Sequence, residues 1–199
     1  PGTNLNSNRY LSELYNSDIL IFGGQSKDDG KLQDTWKISM LPATKKWQLL
    51  ATQGSKPVKR VGHAAAALGM SMVIFGGHDG SAGNTGNRDD LWALNLTDLR
   101  WSELFPGEPK PTARRYPSTI VNGSAMVIFG GHTSSYTDEV WKLTVDPLAW
   151  DQLQPQEGPK PTARYGHCAS LYKTSMVMFG GYDTNGDHKN DVWTFDLVS

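Results

Sequence analysis

The apolar positions of this chain gather in four short unbroken runs: Ile19-Leu-Ile-Phe22, Met72-Val-Ile-Phe75, Met126-Val-Ile-Phe129 and Met176-Val-Met-Phe179. A strand wetted on one face alternates apolar and polar residues, so runs that do not alternate predict strands covered on both faces. Each run ends in a glycine pair, at Gly23-Gly24, Gly76-Gly77, Gly130-Gly131 and Gly180-Gly181. The pairs recur every roughly 50 residues, and self-similarity at such a period marks a repeat architecture. Four copies fill the chain.

Three further strands are predicted in each copy. Downstream of the glycines an acid stands two residues before a tryptophan, as Asp34-Thr-Trp36, Asp90-Leu-Trp92, Glu139-Val-Trp141 and Asp191-Val-Trp193. A second tryptophan follows at Trp47, Trp101 and Trp150, and the fourth copy stops before this point. Upstream of the apolar runs, strands are entered by Arg60-Val-Gly-His63, Arg114-Arg-Tyr-Pro117 and Arg164-Tyr-Gly-His167, with Ser7-Asn-Arg-Tyr10 as a weaker first member. Turns rich in Gly, Asn, Asp and Pro separate these segments, and no stretch sustains a helical period with caps. The reading is all-β: four-stranded antiparallel units, strands a to d, over 8–54, 55–108, 109–158 and 159–199, the last lacking strand d.

The apolar run with its glycine pair, the acid-x-Trp and the lone Trp together resemble the kelch repeat, over nearly the whole chain. The resemblance implies a β-propeller in which each repeat forms one blade around a central channel. With about four blades, the chain reads as a fragment of a larger propeller, or as one that self-associates through open blade edges. Residues 1–9 show little strand character with which to close a ring.

In up-and-down blades the a–b and c–d turns leave at one end, and the b–c and d–a loops at the other. The first set is tight, as at Leu68-Gly-Met70 and Asn95-Leu-Thr-Asp98, while the b–c loops 25–33, 78–89, 132–138 and 182–190 are long and polar. Long loops on a rigid frame carry binding more often than the frame does. Residues the same in every copy answer a demand of the blade, whereas those that vary at matching positions are free to read a ligand. Repeated are Gly23, Gly24, Gly76, Gly77, Gly130, Gly131, Gly180, Gly181, Trp36, Trp92, Trp141 and Trp193, together with Arg60, Arg114 and Arg164. The arginines are expected to bond Asp90, Glu139 and Asp191. Variable are Gln25, His78, His132 and Tyr182 after the glycines, and Val61, Arg115 and Tyr165 after the repeated arginine. In kelch substrate adaptors, positions matching these meet the partner peptide. With Asp79 and Arg88 of the second b–c loop, the expected partner face is Gln25, His78, Asp79, Arg88, Arg115, His132, Tyr165 and Tyr182.

Composition narrows the classes. Nineteen Lys and Arg against 20 Asp and Glu give a formal charge of -1, so no global field holds nucleic-acid phosphates or an anionic membrane. The apolar runs are far shorter than a membrane helix needs. A single cysteine, Cys168, precludes an internal disulfide and fits a cytoplasmic setting; a nuclear one is compatible, and the sequons at Asn95 and Asn122 leave secretion open. His63 and His167 share one strand position that could face the channel, but their counterparts Tyr10 and Pro117 supply no ligand set, so packed and hydrogen-bonded scaffold histidines are expected. Asp183-Thr-Asn-Gly-Asp187 opens like a calcium loop, then fails at His188 and Thr194. No catalytic motif, metal site or cofactor site is read. The leading expectation is a protein-binding scaffold or adaptor module whose partner is another protein or peptide. Its competitors are a carbohydrate-active or metal-dependent enzyme of the same fold and a structural subunit of a larger assembly.

Overall fold

The structure, a computed structural model, describes residues 7–8, 11–15, 18–40, 46–154 and 158–197, with the backbone alone at 7–8 and 11–15. Every regular element among them is a strand. Sheet one holds β1 (Ser7–Asn8), β2 (Leu11–Tyr15), β3 (Asp18–Ser26), β4 (Gly30–Ser39) and β5 (Trp47–Leu49). The second runs through β6 (Ala64–Leu68), β7 (Ser71–Phe75), β8 (Leu91–Asn95) and β9 (Arg100–Leu104), and the third through β10 (Ser118–Asn122), β11 (Ala125–Phe129), β12 (Val140–Val145) and β13 (Leu148–Leu153). Completing the series are β14 (Arg164–Tyr165), β15 (Cys168–Tyr172), β16 (Ser175–Phe179), β17 (Tyr182–Asp183) and β18 (Val192–Asp196). Here β15, β16 and β18 form a three-stranded sheet, while β14 pairs β17.

In the second and third sheets every strand pairs antiparallel with its neighbours in sequence order, which makes each an up-and-down blade; in the fourth repeat β17 pairs back to β14, so β16 pairs β18 directly. The a–b and c–d turns do share one end, where the Leu96 N–H donates to the Met70 carbonyl at 2.9 Å and that of Leu197 to Thr174. Innermost strands line up in sequence, β2 beside β6, β6 beside β10 and β10 beside β15.

Coverage of both faces explains the unbroken apolar runs. Met72, Ile74 and Phe75 are fully buried, as are Met126 and Ile128. Leu20 and Phe22 of the first blade pack against Ala65, Met72, Ile74, Trp92, Leu94 and Trp101 of the second. Between the second and third, Val73, Phe75 and Leu91 meet Met126, Ile128, Trp141, Leu143 and Trp150. In the fourth blade the run Ser175–Phe179 has the same chemistry yet alternates in exposure, because among the described residues nothing covers its outer face: Phe179 is 51% exposed where Phe75 is 0%.

The blades are locked by one repeated seam. The backbone N–H of Arg60 donates to Leu32 and its carbonyl accepts from Gly24, both of the preceding blade. Arg114 makes the same pair with Arg88 and Gly77, and Arg164 with Thr137 and Gly131. This approach is why the first glycine of each of the first three pairs has no side chain. A Cβ on Gly76, at φ +69°, would lie 2.7 Å from the Arg114 carbonyl, and one on Gly130 2.6 Å from that of Arg164. Lysines reinforce two seams, Lys110 to Asp89 at 2.9 Å and Lys160 to Asp138 at 2.8 Å.

Candidate functional site

Beneath the loops of the second, third and fourth repeats lies a closed set of arginine, acid and tryptophan. The guanidinium of Arg60 donates to both carboxylate oxygens of Asp90 at 2.6 and 2.7 Å, to the Gly76 carbonyl at 2.8 Å and to that of Val58 at 3.1 Å. The same carboxylate accepts the Trp92 indole N–H at 2.9 Å. Arg114, Glu139 and Trp141 repeat the arrangement, as do Arg164, Asp191 and Trp193. A buried charge is tolerable only when paired and hydrogen-bonded, and these three arginines are at most 2% exposed. Burial works against ionisation of Asp90, yet the Arg60 bonds outweigh it and hold the carboxyl below its ordinary range. The expected arginine–acid bonds are therefore present, and the acid-x-Trp spacing is explained: the acid carboxylate accepts the indole N–H two residues on. In the first repeat Asp34 takes the Trp36 indole N–H at 2.5 Å, and Arg9 lies outside the described residues.

On this frame the two variable sets meet. In three repeats the residue after the glycines pairs across strands with the residue after the arginine, Val61 with His78, Arg115 with His132 and Tyr165 with Tyr182, while in the first Gln25 pairs with Asn8, the residue before Arg9. Arg115 donates to Asn87 Oδ1 at 2.9 Å and lies 3.4 Å from His132 Nε2. His132 Nδ1 is 2.8 Å from the Thr133 carbonyl, which only accepts, so the proton sits on Nδ1 and Nε2 faces Arg115. Burial first, and the Arg115 charge with it, keep this imidazole below its usual pKa and hence neutral at pH 7. Beside it the rings of Tyr136, Tyr165 and Tyr182 lie 4.9 to 6.1 Å apart, with His132 5.7 Å from Tyr165 and His188 5.0 Å from Tyr182. The rings of the cluster are partly or fully exposed, and they span the third and fourth blades. A hollow of about 330 Å³, lined by Lys31, Val61, His78, Gly83, Arg115 and Tyr116, adjoins them.

Other expected residues are engaged within their own loops. His78 donates from Nε2 to the Gly83 carbonyl at 2.8 Å and accepts the Gly80 N–H at 3.1 Å. Asp79 pairs with Arg88 and accepts the Ser81 N–H at 2.8 Å, and these bonds, working against burial, bring its carboxyl down to about 2. Gln25 lies on the floor of a separate hollow with Lys31, Lys59 and Asp79. Asp183 closes an Asx turn by accepting the N–H groups of Asn185 and Asp187, and Lys189 holds its other oxygen at 2.7 Å. That segment is a folded turn with its own cation.

His63 and His167 are buried. Both rings turn into the blade seams, His63 edge-on to Phe22 at 5.6 Å and His167 edge-on to Phe129 at 5.1 Å. They are packed as expected, but neither nitrogen of either ring has a hydrogen-bond partner. Burial, with the nearby Arg60 or Arg164, lowers their pKa values to about 3 and about 4. Among the described residues no three His, Cys, Asp or Glu side chains gather where a metal ion could be held.

Tyr116, Tyr136, His188 and Asn87 belong to the face and were not anticipated. Asn87 joins blades by donating to the His132 and Thr133 carbonyls at 3.2 and 3.1 Å. Tyr116 had a readable signal: it stands where the sister copies carry Gly62 and Gly166, and like them it has a left-handed φ, +55° against +68° and +67°. A bulky residue rarely adopts that conformation, and such strain concentrates at functional sites. Its ring lies 5.9 Å from that of Tyr165.

Comparison with known proteins places this geometry in context. A family model described as the KLHDC2/KLHL20/DRC7 Kelch-repeats domain matches residues 6–172. The chain is 27% identical to Tip elongation aberrant protein 1 of Schizosaccharomyces pombe, over 94% of its own length and 17% of that protein. It is 27% identical to human Kelch domain-containing protein 3, over 94% of its length and 50% of that protein, and 30% identical to Acyl-CoA-binding domain-containing protein 5 of Arabidopsis thaliana, over 88% and 26%. The chain thus spans half or less of each of these relatives.

Proposed function

Because the chain belongs to the kelch-repeat family, whose members typically serve as protein-interaction modules, we propose that it binds a protein or peptide through its b–c and d–a loop face. One observation carries this reading. The positions that vary between copies pair with one another, and at Arg115–His132 and Tyr165–Tyr182 they merge into a ring cluster on an invariant frame. Tyrosine, neutral imidazole and guanidinium are the groups that anchor protein interfaces through stacking and hydrogen bonding. Arg115 is the cation of the cluster and is held in place by Asn87.

A phage-displayed random peptide library panned on the protein tests the face. Peptides selected on the parent are expected to lose at least tenfold in affinity on an Arg115→Ala, Tyr165→Ala variant, with the thermal midpoint within a few degrees of the parent. Equal binding to the variant would reject the face.

A further inference from the structure

The cations of the loop face are not all neutralised. Lys110 pairs with Asp89 at 2.9 Å, Lys160 with Asp138 at 2.8 Å and Lys189 with Asp183 at 2.7 Å, and Arg88 pairs with Asp79. Lys31 and Arg115 have no ion pair among the described residues, and both line the hollow of about 330 Å³ that Val61, His78, Gly83 and Tyr116 complete. Among the described residues no carboxylate lines it: Asp79 and Asp89 are taken by Arg88 and Lys110, and Asp28 and Asp29 stand in the turn between β3 and β4. His78 adds no charge, since its Nε2 donates to the Gly83 carbonyl while Nδ1 accepts from Gly80. Both cations are nonetheless held in place. The Asn87 amide fixes the Arg115 guanidinium at 2.9 Å and is itself fixed by the His132 and Thr133 carbonyls at 3.2 and 3.1 Å. An amide orients the guanidinium without cancelling its charge. The Lys31 stem runs along the second b–c loop, where a Cβ on Gly80 would lie 3.2 Å from its Cε.

On the premise that the loop face binds a peptide, we propose that this hollow receives a phosphorylated side chain of the partner, its phosphoryl oxygens lying between the Arg115 guanidinium and the Lys31 ammonium. Charge matching selects phosphate over carboxylate. A carboxylate would answer one of the two cations and leave the other unmatched, whereas a phosphoryl group carries about 1.5 to 2 negative charges at pH 7 and three acceptor oxygens. Apart from the bond to Asn87 and the contact with His132, the N–H groups of Arg115 have no acceptor among the described residues. A planar guanidinium can serve two phosphoryl oxygens at once, and the ammonium acts as a point charge for the third.

Acetylated and amidated peptide libraries, random except for a central phosphoserine, phosphothreonine or phosphotyrosine, test the assignment against matched libraries with the free hydroxyl or a glutamate at that position. On the immobilised full chain, at least one phosphorylated library is expected to be retained at least tenfold above its hydroxyl counterpart and at least threefold above glutamate. Lys31→Met keeps the stem and removes the charge; it is expected to cut that excess at least fivefold, with the thermal midpoint within a few degrees of the parent. No excess for any phosphorylated library overturns the proposal. So does equal retention of glutamate, or an excess that survives Lys31→Met. If phage-selected peptides are lost on the Arg115→Ala, Tyr165→Ala variant while no phosphorylated library shows an excess, the loop face stands and the phosphate site falls.

Discussion

Tyr116 holds a ring where its sister repeats hold a hydrogen atom, and that exchange sets stability against recognition at a single residue. A non-glycine residue in the left-handed region costs about 1 kcal/mol or more. Tyr116→Gly is therefore expected to leave the unfolding free energy unchanged or raise it by up to about 1 kcal/mol, even though contacts with Gly62 and Tyr165 are lost. The same change should weaken capture of loop-face peptides severalfold. Denaturant melts and peptide titration read the two effects separately, and a variant that is less stable yet binds normally would make Tyr116 a packing residue. Comparison of internal copies made Arg115, His132, Tyr165 and Tyr182 legible because they sit at fixed offsets from repeated residues. Tyr136 and His188 were not, because their loops differ in length between copies and no offset aligns them; only the folded loops bring their rings beside Tyr165 and Tyr182.

Among elements, the glycine pair is the piece the sequence announced most clearly, and its cause only the structure supplies. The first glycine serves the next blade, and the second passes close to its own: a Cβ on Gly77 would sit 3.0 Å from the Val61 carbonyl. Among the described residues no arginine carbonyl lies beside Gly180, and the nearest neighbour to a Cβ added there is the Lys189 carbonyl at 3.2 Å. Gly76→Ala is expected to cost about 2 to 4 kcal/mol, from backbone strain plus the displaced seam, and Gly180→Ala about half of that. Equal losses in chemical denaturation would mean that the left-handed backbone alone, and not the seam, demands glycine. Burial followed the same logic. The unbroken runs of the first three b strands predicted covered faces correctly, while Ser175–Phe179, against which no other described residue packs on one side, takes on alternating exposure from a like pattern. Pattern records what a strand is suited to, and packing decides what it obtains.

Over the whole molecule, the seams differ in their response to acid. Those between blades one and two and between three and four enclose His63 and His167, while the middle one has Pro117 at the matching position. Each histidine's folded pKa lies below the unfolded value near 6.5, so the unfolded chain binds the extra protons and stability falls as pH drops from about 6.5 towards about 4 and 3. At pH 5 each is expected to cost about 2 kcal/mol relative to neutral pH. The outer blades should therefore loosen before the central pair, seen as faster amide exchange in β3 and β16 than in β7 and β11, and His63→Phe with His167→Phe should flatten the profile. A flat profile in the parent would show that the imidazoles are solvated. The arginine seam has a consequence for how such a chain can grow or shrink. Each arginine owes its backbone to the blade before it and its side chain to the blade it opens, so the indivisible unit of the polypeptide runs from one arginine to the next. Duplication or loss of a whole period re-forms every junction from parts already present, whereas a break inside the period strands a buried guanidinium from its carboxylate. The grammar of this chain permits editing by the word and not by the letter.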